Sequence, residues 1–558
     1  MEFSQISFLL VIAGLFGILA KFFKQPLIIG YLFAGIFLSF SNFAAEIQIL
    51  DSLGQVGVAL LLFLLGLEMK IGELPEIGKV ALITAVGQML ITSILGFLIA
   101  LLFGFETLPS IYIAIAISFS STIIVVKLLS EKKDLSSLYG KISVGLLLVQ
   151  DFVAVAILIL LANIEKGNLS FTQVSLTGIK IFVVVLLVWV LHRSFLVKLF
   201  EKIISQSNEL MFIVSISWAL GIAAILNYFF GFTYEIGGFL AGLILSGLPE
   251  HLQIAARTRP LRDFFLTIFF VSLGAKLILN TDIFTVLPFA LIISLLVILI
   301  KPLITLIILG FLGFKKRTSF LVAISTSQIS EFSLILMVLG LNIGHLKTTH
   351  LAIVILIGMI TMSASTYLIL GADKIYKKFH YYLSFFERKT TKEGVLIDQI
   401  KYSDHIILVG CDRTGRASVR YFLKRKKNFI VVDFNPKVFN QLTAENIPII
   451  FGDINDLDII KAVNIEKAKM IISTISNLTD NLTLLEYLKK MRRNIISIFT
   501  ASSKQDAVKL YGAKATYVIV PEVAAGEYIK HLFTLYGNSE KRFIKLGKNH
   551  YKRLLSFH

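Results

Sequence analysis

Three fully charged side chains stand near the middle of long apolar runs: Asp151 in residues 140–163, Lys301 in 285–314 and Glu331 in 318–341. An ion at the centre of a membrane helix costs about 2.5–3.5 kcal/mol, and side chains that persist there usually line a path for ions or protons. Asp151 is the only acid in its run. Ionised, its carboxylate offers oxygen ligands to a cation; protonated, it is neutral and holds none. A single group that takes either passenger couples the two movements, provided only the occupied states cross. The plainer alternative is a carboxylate that merely neutralises Lys301. Lys301 in turn reads either as a partner of Asp151 or Glu331 when no cation is bound, or as a structural partner of Glu331 only. Glu331 ranks below Asp151, because it could equally shape a helix terminus. Gln150 supplies a carbonyl oxygen or fixes nearby backbone; its neutrality leaves one carboxylate and favours one-for-one exchange.

Two runs are polar at their centres without full charges, at Ser118-Phe119-Ser120-Ser121-Thr122 and at Ser325-Thr326-Ser327-Gln328-Ile329-Ser330. Hydroxyls at that depth satisfy backbone groups freed where a helix unwinds. Ser120, Ser121 and Thr122 are therefore read as cation ligands or backbone caps, each alone being as often plain helix-packing contact.

The elements that must hold these residues are thirteen apolar runs: 6–22, 26–41, 52–68, 79–104, 109–130, 140–163, 172–192, 208–230, 234–248, 261–280, 285–314, 318–341 and 350–372. The chain has 558 residues, 56% hydrophobic and 16% charged, which excludes a soluble enzyme, a disordered chain and a secreted disulfide scaffold. No basic region precedes the first run, so it reads as a retained helix rather than a signal peptide. Alternate loops are basic, as at Lys132/Lys133, Arg257/Arg259/Arg262 and Lys315/Lys316/Arg317. Basic loops stay in the cytoplasm, which puts the N-terminus outside and the C-terminal domain inside the cell membrane. The polar-centred runs are the fifth and twelfth, and the Asp151 run is the sixth, with the thirteenth as counterpart. An odd offset of seven implies inverted repeats with broken helices, the signature of secondary transporters.

Charge divides the chain in two. Residues 1–372 carry 22 basic and 18 acidic residues (+4), and residues 373–558 carry 32 and 18 (+14). A basic body hung from a membrane segment is explained by anionic lipid rather than nucleic acid. A polar and aromatic linker, 373–404, leads to a domain at 405–536 and a tail at 537–558. The single cysteine, Cys411, suits a reducing cytosol and reads as a small packed residue rather than a redox handle. Six short strands alternate with helices from Ile406 onward, implying a doubly wound α/β sheet. After the first strand comes Gly410-Cys411-Asp412-Arg413-Thr414-Gly415, and the second strand ends on Asp433. That is a dinucleotide-binding arrangement, in which helix-end amides meet phosphate and Asp433 accepts ribose hydroxyls. Asp412 replaces the middle glycine and sets an anion against pyrophosphate. A mononucleotide such as AMP, with Arg413 or Arg416 compensating, also fits. No residue cluster calls for a tightly bound metal, and no catalytic set is visible.

The motifs Lys24-Gln25-Pro26, Ile29-Gly30-Tyr31-Leu32, Ala34-Gly35 and Leu65-Gly66-Leu67-Glu68 resemble the opening of the monovalent cation:proton antiporter-2 family, as do Gly238–Gly242 and Phe269–Gly274. Gln150-Asp151 is similar to the Gln-Asp pair of Kef-type potassium/proton antiporters; sodium/proton relatives more often carry Asn-Asp or Asp-Asp. Ser327-Gln328-Ile329-Ser330-Glu331-Phe332 resembles that family's Gln-Gly-Gly-Glu-Phe stretch with both glycines replaced. The cytosolic domain, including Phe451-Gly452-Asp453 and Val520-Pro521-Glu522, resembles the RCK or TrkA-N domain of the same antiporters. The resemblance implies K+/H+ exchange exporting K+, with the cation held at Asp151. It also implies a homodimer and gating by AMP or NAD(H), and in some relatives by glutathione. Na+/H+ exchange is the runner-up. An RCK-gated K+ channel lacks a Thr-Val-Gly-Tyr-Gly-like filter loop, and a membrane-bound NAD enzyme lacks a substrate domain and leaves Asp151 without a role.

Overall fold

The computed structural model describes residues 3–40, 47–68, 78–132, 134–135, 137–162, 208–230, 233–246, 248, 250–279, 283–387, 403–411, 413–454, 457–490, 495–537 and 539–555. The seventh apolar run, 172–192, lies outside the described residues, and so does Asp412. The chain forms two compact units, Met1–Lys389 and Thr390–His558.

The first unit is helical. Its helices are α1 (Phe3–Phe22), α2 (Leu27–Ser39), α3 (Ile47–Glu68), α4 (Gly78–Leu102), α5 (Thr107–Ser118), α6 (Thr122–Glu131) and α7 (Leu138–Ala162). After the undescribed stretch come α8 (Asn208–Phe230), α9 (Tyr234–Leu245), α10 (His251–Leu279), α11 (Ile283–Leu295), α12 (Lys301–Phe311), α13 (Lys316–Ser325), α14 (Glu331–Asn342) and α15 (Thr348–Leu383). Among the described residues, seven spans are long and apolar enough to cross a membrane, and four shorter apolar helices accompany them. The last helix continues to Leu383, past the expected end at 372.

Two groups of helices are apparent. In one, α2 and α3 cross α10 and α9 almost backbone to backbone. A Cβ on Gly35 would run into the Val271 carbonyl, and one on Gly274 into that of Leu32; Gly66 and Gly242 stand in the same reciprocal relation to Phe239 and Phe63. Without hydrophobic pressure between helices in lipid, such close approach is what holds them. The other group contains α4 to α7 and α11 to α15. Two of its spans are interrupted, α5/α6 at residues 119–121 and α13/α14 at 326–330. A third, α11/α12, passes through a π turn at Leu296–Ile300 immediately before Lys301-Pro302. Proline cannot donate to the preceding turn, so the helix widens there.

The loops of one expected face do meet: Lys132 and Arg317 both reach Asp373 of α15, at 3.0 and 3.4 Å. His345 and His350 are buried. His345 Nδ1 pairs with the Tyr112 hydroxyl at 2.9 Å, and His350 Nδ1 accepts the Lys347 N–H at 3.0 Å. The short loop folds back onto the helix ends and keeps both rings largely out of water.

The second unit is a six-stranded parallel sheet: β1 (Ile406–Val409), β2 (Phe429–Asp433), β3 (Ile449–Phe451), β4 (Met470–Ser473), β5 (Ile496–Thr500) and β6 (Tyr517–Ile519), in the order β3-β2-β1-β4-β5-β6. This is the doubly wound order expected of alternating strands and helices, and it switches direction beside β1. The tail is helical over Glu540–Leu555.

Candidate functional site

Each broken span ends on serine and threonine because the unwound residues need local partners. Phe119 and Ser121 are extended, and the Ser121 hydroxyl caps α6 by accepting the Ile124 N–H at 3.3 Å. In the second break, Ser330 caps α14 through the Phe332 N–H, and Ser333 Oγ accepts the Ser330 N–H in return. The helices that follow each break complete the repair. Gln150 of α7 accepts the Ser120 N–H on Oε1 at 3.0 Å, and Thr361 of α15 accepts the Ile329 N–H at 3.4 Å. The sixth and thirteenth runs therefore play matching parts.

A helix carries about half a positive charge at its N-terminus and half a negative one at its C-terminus. Broken helices bring those ends into the interior, and two side chains answer them. Lys301, fully buried, donates from Nζ to the carbonyls of Ile117 (3.2 Å), Phe119 (2.6 Å) and Gln328 (2.9 Å). One ammonium thus holds the carbonyl ends of α5 and α13 together. Glu331, the first residue of α14, accepts the hydroxyl of Ser121, the cap of α6, at 2.8 Å and that of Ser330 at 3.4 Å. One carboxylate thus serves both N-terminal ends.

The expectation that Lys301 pairs with Asp151 or Glu331 is corrected: it binds backbone carbonyls, because the opposed helix ends offer it partial negative charge from two sides. The same geometry places Glu331 at a helix terminus. Ser121 serves as a cap and a partner of Glu331, while Ser120 Oγ donates to the Thr326 carbonyl at 3.4 Å. Thr122 alone of the three reaches Asp151, donating to Oδ2 at 2.7 Å. Asp151 is therefore the carboxylate left over once both pairs of helix ends are satisfied.

The network also holds residues that charge-based reading missed. Gln88 of α4 bonds to Gln150, and Ser365 of α15 donates to Gln328 Oε1, whose Nε2 donates to the Ser121 carbonyl at 3.3 Å. Thr305 bonds Thr326 at 3.2 Å. The available signal was polar residues at the midpoints of apolar runs, a weaker mark than a full charge.

In the second unit, Gly410 has φ +82° and Gly415 faces the Gly410 carbonyl so closely that a Cβ there would collide with it. The chain can turn from β1 into the helix Arg413–Lys424 only with glycine at both positions. Asp433, buried at the tip of β2, accepts the Cys411 N–H at 2.7 Å and the Asn435 N–H at 2.8 Å. Asp453 is buried just beyond β3, Thr414 is exposed at the start of the helix, and Arg416 reaches Gln441. The side chain of Arg413 lies outside the described residues. Cys411 is fully buried in the core beside β1.

The profile of the sodium/hydrogen exchanger transmembrane family matches residues 7–370, well over half of the sequence. The chain belongs to that family. This exchanger also carries a TrkA-N domain, matched over residues 406–521. It is 26% identical over 491 residues to the putative cation/proton antiporter YbaL of Escherichia coli, covering 84% of this chain and 86% of that one. It is 31% identical over 345 residues to K(+) efflux antiporter 5 of Arabidopsis thaliana, covering 60% of each chain, so the exchanger spans three fifths of that plant relative. Among solved structures, the sodium proton antiporter MjNhaP1 of Methanocaldococcus jannaschii aligns with a TM-score of 0.50 at 16% identity, over 68% of this chain and 97% of that one. That likeness shows a common antiporter fold.

Proposed function

We propose that this exchanger moves K+ out of the cell against H+ entering it, one for one, with Asp151 holding the two in turn. The observation that carries the reading is the charge assignment at the broken helices. Lys301 and Glu331 are committed to helix ends, and among the described residues Asp151 has one hydrogen-bond partner, Thr122. K+ is favoured by the Gln150-Asp151 pair and by the names of the plant relatives; Na+ is the alternative. Thr122 Oγ1 and the Asp151 oxygens are the ligand set of this reading. Gln150, Ser120, Ser121, Lys301 and Glu331 hold the breaks that shape it.

Thirteen crossings with the N-terminus outside would place the TrkA-N domain in the cytoplasm. Its glycine turn, with Gly410, Asp412, Arg413, Thr414, Gly415, Asp433 and Asp453, is read as a site for AMP or NAD(H) that gates exchange. The group of broken helices is read as the moving body, sliding against the glycine-packed group in a homodimer. The test is proton release from proteoliposomes on adding K+ or Na+. Wild type should respond more strongly to K+, and Asp151→Asn should be silent to both; wild-type exchange by that variant would remove Asp151 as the carrier.

A further inference from the structure

Gln88 lies in α4, outside both breaks, and is fully buried. Its Nε2 donates to Thr92 Oγ1 (3.0 Å) and to the Ser118 carbonyl (3.3 Å). Its Oε1 accepts from Gln150 Nε2, and Gln150 Oε1 accepts the Ser120 N–H (3.0 Å). Of the two ends of this path, the Ser118 carbonyl closes the first half of the span and the Ser120 amide lies within its break. A path of two carboxamides bridges the gap in the backbone.

The path has a direction. The ends of a carboxamide have nearly the same shape, so its sense is set by its partners. The Ser118 carbonyl can only accept, so Gln88 must turn Nε2 to it. Oε1 then faces Gln150, which must present Nε2 and keep its own oxygen on Ser120. We propose that Gln88 is a positioning residue for exchange: it locks the Gln150 amide so that its oxygen serves the backbone rather than the cation at Asp151. This rests on the proposed function, in which Asp151 is the cation site next door. With Gln88 removed, the Gln150 amide turns freely, the Ser120 N–H loses its partner and the oxygens facing the cation are no longer fixed. Discrimination between cations of different radius then weakens.

The experiment uses the full chain in proteoliposomes, titrated with K+ and with Na+. Gln88→Met keeps the volume and removes both polar ends; Gln88→Leu also removes both, and serves if the methionine variant fails to assemble. Each is expected to raise half-saturating K+ about tenfold and narrow the K+ over Na+ preference, with a smaller change in maximal rate. Because Gln88 acts through Gln150, Gln88→Met combined with Gln150→Met should be no worse than Gln150→Met alone, which a merely structural role would not produce. Wild-type half-saturation in both Gln88 variants, or multiplied losses in the double variant, overturns the proposal. If Asp151→Asn is silent while Gln88 variants behave as wild type, the positioning role alone fails. If Asp151→Asn exchanges normally, the proposed function fails.

Discussion

Lys301, Glu331 and Asp151 were visible as charges in apolar runs, but only the structure sorts them. Sequence shows the ammonium and not the three backbone carbonyls it binds, because carbonyls belong to every residue and their convergence depends on how two helices meet. Hence Lys301 read naturally as a carboxylate's partner. Lys301→Met should leave opposed carbonyl ends unanswered and destabilise the membrane unit by about 2–3 kcal/mol, measured as a lower thermal transition in detergent. The hydroxyls separate in the same way. Ser121→Ala removes a helix cap and a partner of Glu331. It should cost about 1 kcal/mol of stability and leave half-saturating K+ near wild type. Thr122→Val removes the hydroxyl on Asp151 and should raise half-saturating K+ severalfold with little loss of stability. The reverse pattern would exchange the roles of the two residues.

The breaks themselves were legible from clustered serines and threonines. Gln88 was not, since one amide in a helix of ordinary polarity carries no pattern; it acquires meaning only when α4 is laid beside α7. Likewise the motif glycines signalled close contact without naming partners, which are helices more than 170 residues away in sequence for Gly66 and Gly242. Gly242→Ala should overpack the α3–α9 crossing and cost about 1–3 kcal/mol, whereas Gly221→Ala, with open space around its Cα, should be neutral. Thermal stability of the two variants in the same detergent compares them directly.

At the scale of the whole molecule, a nearly neutral helical unit and a strongly basic α/β unit were readable from composition and period, and the sheet order followed from strands alternating with helices. The nucleotide turn was legible at its two glycines, where only backbone close approach is at stake. The second unit carries its own acid sensitivity. His405 is buried against the Val463 carbonyl at 2.8 Å, and burial pushes its imidazole below the ordinary pKa of 6.5. The folded unit then takes up a proton less readily than the unfolded chain, so stability is full above about pH 6.5 and falls on acidification below it. Protection of the β1 amides in the intact chain, corrected for their intrinsic exchange rate, should fall in that range, and His405→Gln should remove part of the dependence. The central claim, however, is competition at Asp151, and its most direct measurement is the half-saturating K+ for exchange in proteoliposomes across a series of pH values. Rivalry for one carboxylate predicts that it rises as pH falls, by up to about tenfold per unit, at an unchanged maximal rate. Half-saturation that ignores pH, or K+ flux without counter-moving protons, would contradict it.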